Sequence, residues 1–297
     1  MKEGAFRNES TANIPDSQES SFRSSMKTKS SFARQENVIF GTCGGGGSSV
    51  SCLAMTLSIV LPAFDEAAKI AQDVESAGRF LTSHNLAGEV IVIDDGSSDA
   101  TSERAREAVV PPEVDCLVFR NELHRGKGFA VKTGVLASRG EYILFADCGL
   151  TVPFENALPG LRLLQEGICE LAHGSRKLPE SVIRKPQDWD RKILSALFHA
   201  LVTRWMSIPP ELTDTQCGFK MYRGGIARQL YRECTTDGFM FDIEIILRAL
   251  RHGYRIAEFP VEWTCDRDSR ISFGKNFRNI IKELSQIRKN LIRSRRT

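Results

Sequence analysis

Four short apolar runs constrain this chain most: LSIVL at 57–61, EVIVID at 89–94, DCLVFR at 115–120 and YILFA at 142–146, separated by longer stretches with helical spacing. Strands of that length alternating with helices build a mostly parallel sheet with helices on both faces. Parallel neighbours need a crossover, and a crossover helix must bury its apolar stripe against the sheet. At 297 residues, 41% hydrophobic and 26% charged, the chain is long enough for one α/β domain of about 240 residues plus a tail. The spacing predicts helices over 65–81, over 100–108 with Asp99 as N-cap, over 127–138, from Pro153 onward, and over 191–206 and 241–251. Further strands are expected at 170–173, through CGFKMYR and over 255–263. There are no internal repeats.

Residues 1–54 are rich in Ser, Thr, Asn, Gln and Gly, with stretches such as SSFRSSMKTKSS and GTCGGGGSSVSC. They lack an apolar period and read as a disordered extension. Met55 immediately precedes the first strand, so the expected organisation is an extension (1–54), an α/β domain (55–271) and a basic amphipathic C-terminal helix (272–297). A net charge of +3 is too mild to indicate a nucleic-acid partner. The eight cysteines form no C-x-x-C pair and have no histidines at zinc spacing, so they read as small buried residues in a reducing compartment. No stretch reaches the roughly 18 uncharged apolar residues of a membrane span, and the polar N-terminal region carries no secretory signal. The expected location is cytoplasmic.

Ligands of open α/β sheets bind beyond the carboxyl ends of the strands. Three motifs fall at such ends: LPAFDEA, DDGSSD and DCG. Paired acids after an apolar strand can bond the N–H edge of a uracil or guanine, although the same residues also suit a turn and a helix cap. Pro62, Phe64 and Glu66 can wall a base or simply form a strand exit. In HRGKGFAVKTG, Lys127 lies between two glycines at a helix start, where an ammonium and backbone N–H groups could meet phosphate. The spacing is not that of a P-loop, and a solvated lysine at a loosened helix start fits equally well.

The ordered set PAFDEA, EVIVIDDGSSDAT, RGKGFAVKTG, GSR, DTQCGFKMYR, GFMFDIEIILRA and AEFPVEWT resembles the family 2 glycosyltransferases. Within them it is similar to dolichyl-phosphate (polyprenyl-phosphate) β-glucosyltransferases and their bacterial relatives. The resemblance covers essentially 57–296. It implies a GT-A (Rossmann-like) fold and inverting transfer of a hexose from a nucleotide diphosphate sugar to a polyprenyl phosphate. UDP-glucose is the favoured donor, because DTQCGFK resembles the glucosyl branch, with GDP-mannose as the second option.

Carried over by position, the resemblance implies that Pro62, Phe64, Glu66 and Asp95 contact the nucleoside, with Lys127 beside it. Asp147 matches the first acid of the metal-binding D-x-D, and Gly149 stands where the second would be. Mg²⁺ or Mn²⁺ is the implied cofactor, and one missing carboxylate weakens or removes its hold. Thr151 and Glu155 are nearby alternatives. Basic side chains could meet the diphosphate instead: Arg176, Arg184, Lys185 and Arg270, with Arg191 reading as an ordinary surface residue. Asp214 and Gln216 are implied to face the sugar, and Asp242 to order the site; a helix cap and a structural salt bridge compete for these acids. In FDIE the i, i+2 spacing puts Asp242 and Glu244 on different helix faces.

A phosphate acceptor is already largely ionised near neutral pH, so transfer to it needs alignment and leaving-group stabilisation rather than a general base. A hydroxyl acceptor would need one. The C-terminal stretch places Phe273, Phe277, Ile280, Leu284, Ile287 and Leu291 at helical spacing among Arg and Lys residues. That face can pack on the domain or lie on an anionic membrane surface, which would make the protein peripheral on the inner face of the cell membrane. Two other readings remain: transfer to a glycan or small-molecule hydroxyl, and an inactive nucleotide-sugar-binding or partner-binding protein with a degenerate D-x-D.

Overall fold

The computed structural model describes residues 55–185, 202–265 and 273–293. The expected extension, Arg191, Arg270 and most of the helix expected over 191–206 lie outside the described residues. The four apolar runs become β1 (Leu57–Ala63), β2 (Gly88–Asp94), β3 (Asp115–Arg120) and β4 (Tyr142–Ala146). They lie parallel in the order β3–β2–β1–β4. Three crossovers join them: α1 (Ile70–Ser83), α2 (Thr101–Glu107) and α3 (Lys127–Ala137). Ala63 stands level with Asp94, and Asp94 with Arg120. Val60 pairs with Phe145, and the Cys148 thiol donates to the Pro62 carbonyl at 3.2 Å. The three motif loops therefore share one rim, as the sequence implied.

A short 3₁₀ turn at Phe154–Asn156 and α4 (Ala157–Gln165) lead into β5 (Leu171–Ser175). Next come β6 (Val182–Lys185), β7 (Phe219–Arg223), α5 (Gly224–Glu233), α6 (Phe241–Arg251), β8 (Ile256–Pro260), β9 (Glu262–Thr264) and α7 (Phe273–Arg293). The seven-stranded sheet runs β3–β2–β1–β4–β7–β5–β8, with β7 antiparallel to both its neighbours. The single strand expected over 255–263 is two, and β9 turns away to pair with β6. The helix expected from residue 65 starts only at Ile70. Asp65 takes a left-handed φ of +48°, and its carboxylate accepts from the Ser98 N–H at 2.7 Å, which keeps this stretch a turn.

Alternate residues of β1 face opposite layers. Ile59 and Leu61 pack with Val74 and Phe80 of α1, whereas Val60 packs with Val131, Phe145 and Phe241 on the other side. The apolar stripe of α7, formed by Ile280, Leu284, Ile287 and Leu291, is buried with Ile243 and Ile246 of α6. Each such side chain contributes roughly 2 kcal/mol by removing apolar surface from water. That stripe therefore faces the domain, and Lys282, Arg288 and Lys289 remain exposed. No helix among the described residues is long and apolar enough to cross a membrane.

Candidate active site

At the β1 and β2 exits, two loops are laced together by short bonds: Asp65 N–H to Ser97 Oγ at 2.8 Å and Glu66 N–H to Thr101 Oγ1 at 2.7 Å. The adjacent acids Asp94 and Asp95 separate in role. Asp94 is fully buried and accepts from Ser97 N–H at 2.8 Å and Ser102 Oγ at 2.5 Å, so it builds the turn. Asp95 faces the 121–126 loop, accepting from Asn121 Nδ2 at 2.8 Å and Gly126 N–H at 2.6 Å. The His124 ring lies against Phe64, with centroids 4.0 Å apart. Phe64 and Asp95 thus frame one face of the rim, with Pro62 at the end of β1 and Glu66 in the loop that follows it.

Along the rim, Lys127 Nζ lies 2.6 Å from Asp147 Oδ1 and above the Phe145 ring. Burial opposes the ammonium form of Lys127, but the charges of Asp147 and Asp242 outweigh it and raise the pKa. The glycine after Lys127 has a packing reason of its own. A Cβ on Gly128 would sit 2.6 Å from the Thr236 carbonyl and 2.7 Å from Phe241 Cβ. Gly218 lies directly against the Asp147 carboxylate, and a Cβ there would force that side chain to move.

Gly149 adopts φ +89° and Leu150 φ +45°, a turn that an L-residue at 149 would enter only with strain. The Asp73 carboxylate of α1 secures it, accepting from Gly149 N–H at 2.8 Å and from Leu150 N–H at 2.8 Å. Asp73 is buried, and that burial pushes its carboxyl up to about 6 against the pull of these N–H groups. The segment after Asp147 is therefore a left-handed turn pinned to α1 by the Asp73 carboxylate.

Two further ion pairs complete the floor. Arg176 grips Asp214 through Nε at 2.7 Å and Nη2 at 2.8 Å, and its own N–H adds a third bond at 3.0 Å. Burial would raise the Asp214 carboxyl, but the guanidinium holds it down to about 2. Lys220 of β7 is fully buried, and its ammonium meets Asp242 Oδ1 of α6 at 2.6 Å and the Thr215 carbonyl at 3.1 Å. Asp242 is pushed up by burial, against the opposing charges of Lys220 and Lys127. Glu244 points elsewhere, holding Thr235, Thr236 and Arg248.

A scan against family models matches Glycosyl transferase family 2 over residues 58–230, more than half of the chain. The chain belongs to that family. It is 29% identical to the dolichyl-phosphate beta-glucosyltransferase of Dictyostelium discoideum, over 78% of this chain and 73% of that protein. It is 31% identical to the Homo sapiens protein of the same name, over 70% and 67% respectively. Among solved structures, Mycobacterium tuberculosis glucosyl-3-phosphoglycerate synthase, crystallised with Mn²⁺ and UDP-glucose, superposes with a TM-score of 0.58. It is 21% identical and covers 78% of this chain and 79% of that one, which supports a shared GT-A-like fold.

In this glycosyltransferase, most residues singled out from sequence come to one rim. Gln216 lies half-buried between Asp214 and Gly218. Arg184 is held by Glu262 across the β6–β9 pair, at 2.8 and 3.2 Å. Three residues escaped the sequence reading. Lys220 could have been suspected as a charge inside an apolar strand. Asp73 sits on the apolar stripe of α1 beside Ile70, Val74 and Ala77, an acid where the periodicity calls for a hydrophobe. His124 carried no signal. Among the described residues, no three His, Cys, Asp or Glu side chains gather where a cation could sit. Asp147 offers one carboxylate, which fits Mg²⁺ or Mn²⁺ only if a ligand's phosphate oxygens complete the coordination.

Proposed function

We propose that this enzyme transfers a hexose, with glucose favoured, from UDP-glucose to a polyprenyl phosphate with inversion at the anomeric carbon. GDP-mannose is the second donor to test. One observation supports the acceptor class above the others. Each acid nominated for the chemistry is already paired with a cation: Asp147 with Lys127, Asp214 with Arg176 and Asp242 with Lys220. A carboxylate held at about 2, as Asp214 is, is a poor acceptor for a hydroxyl proton near neutral pH. A phosphate acceptor brings its own charge and needs only to be aligned.

In this reading Phe64 and Asp95 take the base, Lys127 and Arg176 lie along the diphosphate, and Asp214 and Gln216 face the sugar while Asp242 fixes Lys220. Asp147 would hold Mg²⁺ or Mn²⁺ jointly with the diphosphate oxygens, with weakened dependence because no second carboxylate stands beside it. When bound, the cation supplies charge neutralisation of the leaving diphosphate. Membrane contact, if peripheral on the cytoplasmic face, falls to the exposed Lys282, Arg288 and Lys289 rather than to the packed stripe of α7.

Radiolabelled UDP-glucose and GDP-mannose, incubated with the protein and polyprenyl phosphate in membranes, test the reading. Label in a lipid phosphate product is expected from UDP-glucose. Failure of both donors to label that pool, with transfer to a glycan instead, sinks the acceptor assignment. Repeating UDP titrations with and without Mn²⁺ separates a modified enzyme, which binds and turns over, from a binding module, which only binds.

A further inference from the structure

His124 imitates a nucleobase at both contacts that a base would make. Its ring lies on Phe64 at 4.0 Å between centroids, with the planes 32° apart. Its Nδ1 lies 2.9 Å from Asp95 Oδ2 and 3.3 Å from the Asp95 carbonyl. An ionised carboxylate only accepts, so Nδ1 carries the proton and donates. Uracil and guanine present the same pair of features: a flat face, and a ring N–H on the Watson–Crick edge.

The Asp95 carboxylate has about four acceptor positions. They face Asn121 Nδ2, the backbone N–H groups of Arg125 and Gly126, and His124. A base N–H can be admitted only if a donor leaves. The two backbone groups are fixed by the chain, and Asn121 is half-buried. The His124 side chain is 53% exposed and needs only a side-chain rotation to withdraw.

We infer that His124 occupies the nucleobase subsite of the free protein and exchanges with the incoming base. This rests on the proposed nucleotide site and adds a residue that tunes its affinity. The exchange favours bases whose ring N–H takes the place of the imidazole N–H on Asp95; adenine has an exocyclic amino group but no ring N–H on that edge.

The test is calorimetric titration of UDP and GDP, with ADP as comparator, into the full chain and its His124→Ala variant, together with ¹⁵N-edited spectra of the His124 ring in the wild type. Removing a stacked competitor is expected to tighten UDP binding about three- to tenfold. The ring signals should move on UDP saturation and stay in place with ADP. UDP binding that is equal or weaker in His124→Ala, with ring signals unmoved at saturation, overturns the exchange while leaving the nucleotide site standing. If neither protein binds UDP or GDP, the nucleotide reading fails and the exchange with it.

Discussion

Changing Asp73 to Asn should make the stability of this protein respond differently to pH. The buried carboxyl has a pKa of about 6 against an ordinary 3.8, so the folded state binds the proton more tightly than the unfolded one. For an acid raised in this way, the stabilisation is complete below the unfolded pKa and is lost as pH rises through the folded one. A gap of about two units corresponds to about 3 kcal/mol. Roughly two-thirds of that falls between about pH 4.5 and 7.5 on integrating the linkage. Urea melts of the wild type and of Asp73→Asn across this range give the difference directly, because other titrating groups cancel between the two proteins. The wild type should lose about 2 kcal/mol relative to the variant as pH rises. A flat difference would refute the reasoning, since it would mean that the Gly149 and Leu150 N–H groups fully offset the burial. The ionised form is the one that accepts most strongly from the Gly149 and Leu150 N–H groups, so the chain sustains this cost where the 147–150 turn is held most firmly.

Asp214 works in the opposite sense. Its carboxyl is held to about 2, so it contributes about 2 kcal/mol above pH 4 that is lost as pH falls from 3.8 through 2; an Asp214→Asn variant should lack that limb in acid melts. Lys127→Met should weaken UDP binding about tenfold or more by calorimetry, because it removes an ammonium from the diphosphate end and leaves Asp147 facing the incoming charge. Gly149→Asp should destabilise the fold by ~1–3 kcal/mol, since φ is +89° there; a variant that gains Mn²⁺ affinity by electron paramagnetic resonance without losing stability would contradict this. Leu284→Ala should cost ~2–5 kcal/mol in urea melts through the cavity left against α6.

The parallel half of the sheet was legible because β1, β2 and β4 are buried on both faces and so read as unbroken apolar runs, with the half-buried edge strand β3 as the exception. The rim followed from that, because parallel strands bring their carboxyl ends together. The second half was harder to read. Pattern alone shows CGFKMYR to be extended, but strand direction is not written in apolar alternation, so the antiparallel insertion of β7 between β4 and β5 was invisible. The pairing of Lys220 with Asp242 depends on that insertion and was hidden with it. The glycines around Lys127 suited a phosphate contact or a loosened helix start equally, and the close approach of Thr236, Gly238 and Phe241 to Gly128 was not visible in them. Asp65 and Gly149 show a further limit, since a left-handed residue delays a helix start or sets a turn without altering local composition.

The contact between α7 and the start of α6 has a consequence for how the protein is made. Glu283 accepts the N–H of Met240 at 3.0 Å, two residues before Asp242, and the α7 stripe covers Ile243 and Ile246. During synthesis the strands and the rim leave the ribosome well before Glu283 does. Until α7 arrives, α6 has an uncovered apolar face and lacks the Glu283 acceptor at its first turn, two residues before Asp242. A nascent chain would carry the rim loops early and cover α6 late, which makes the interval before α7 docks the time of greatest exposure to aggregation and to proteases.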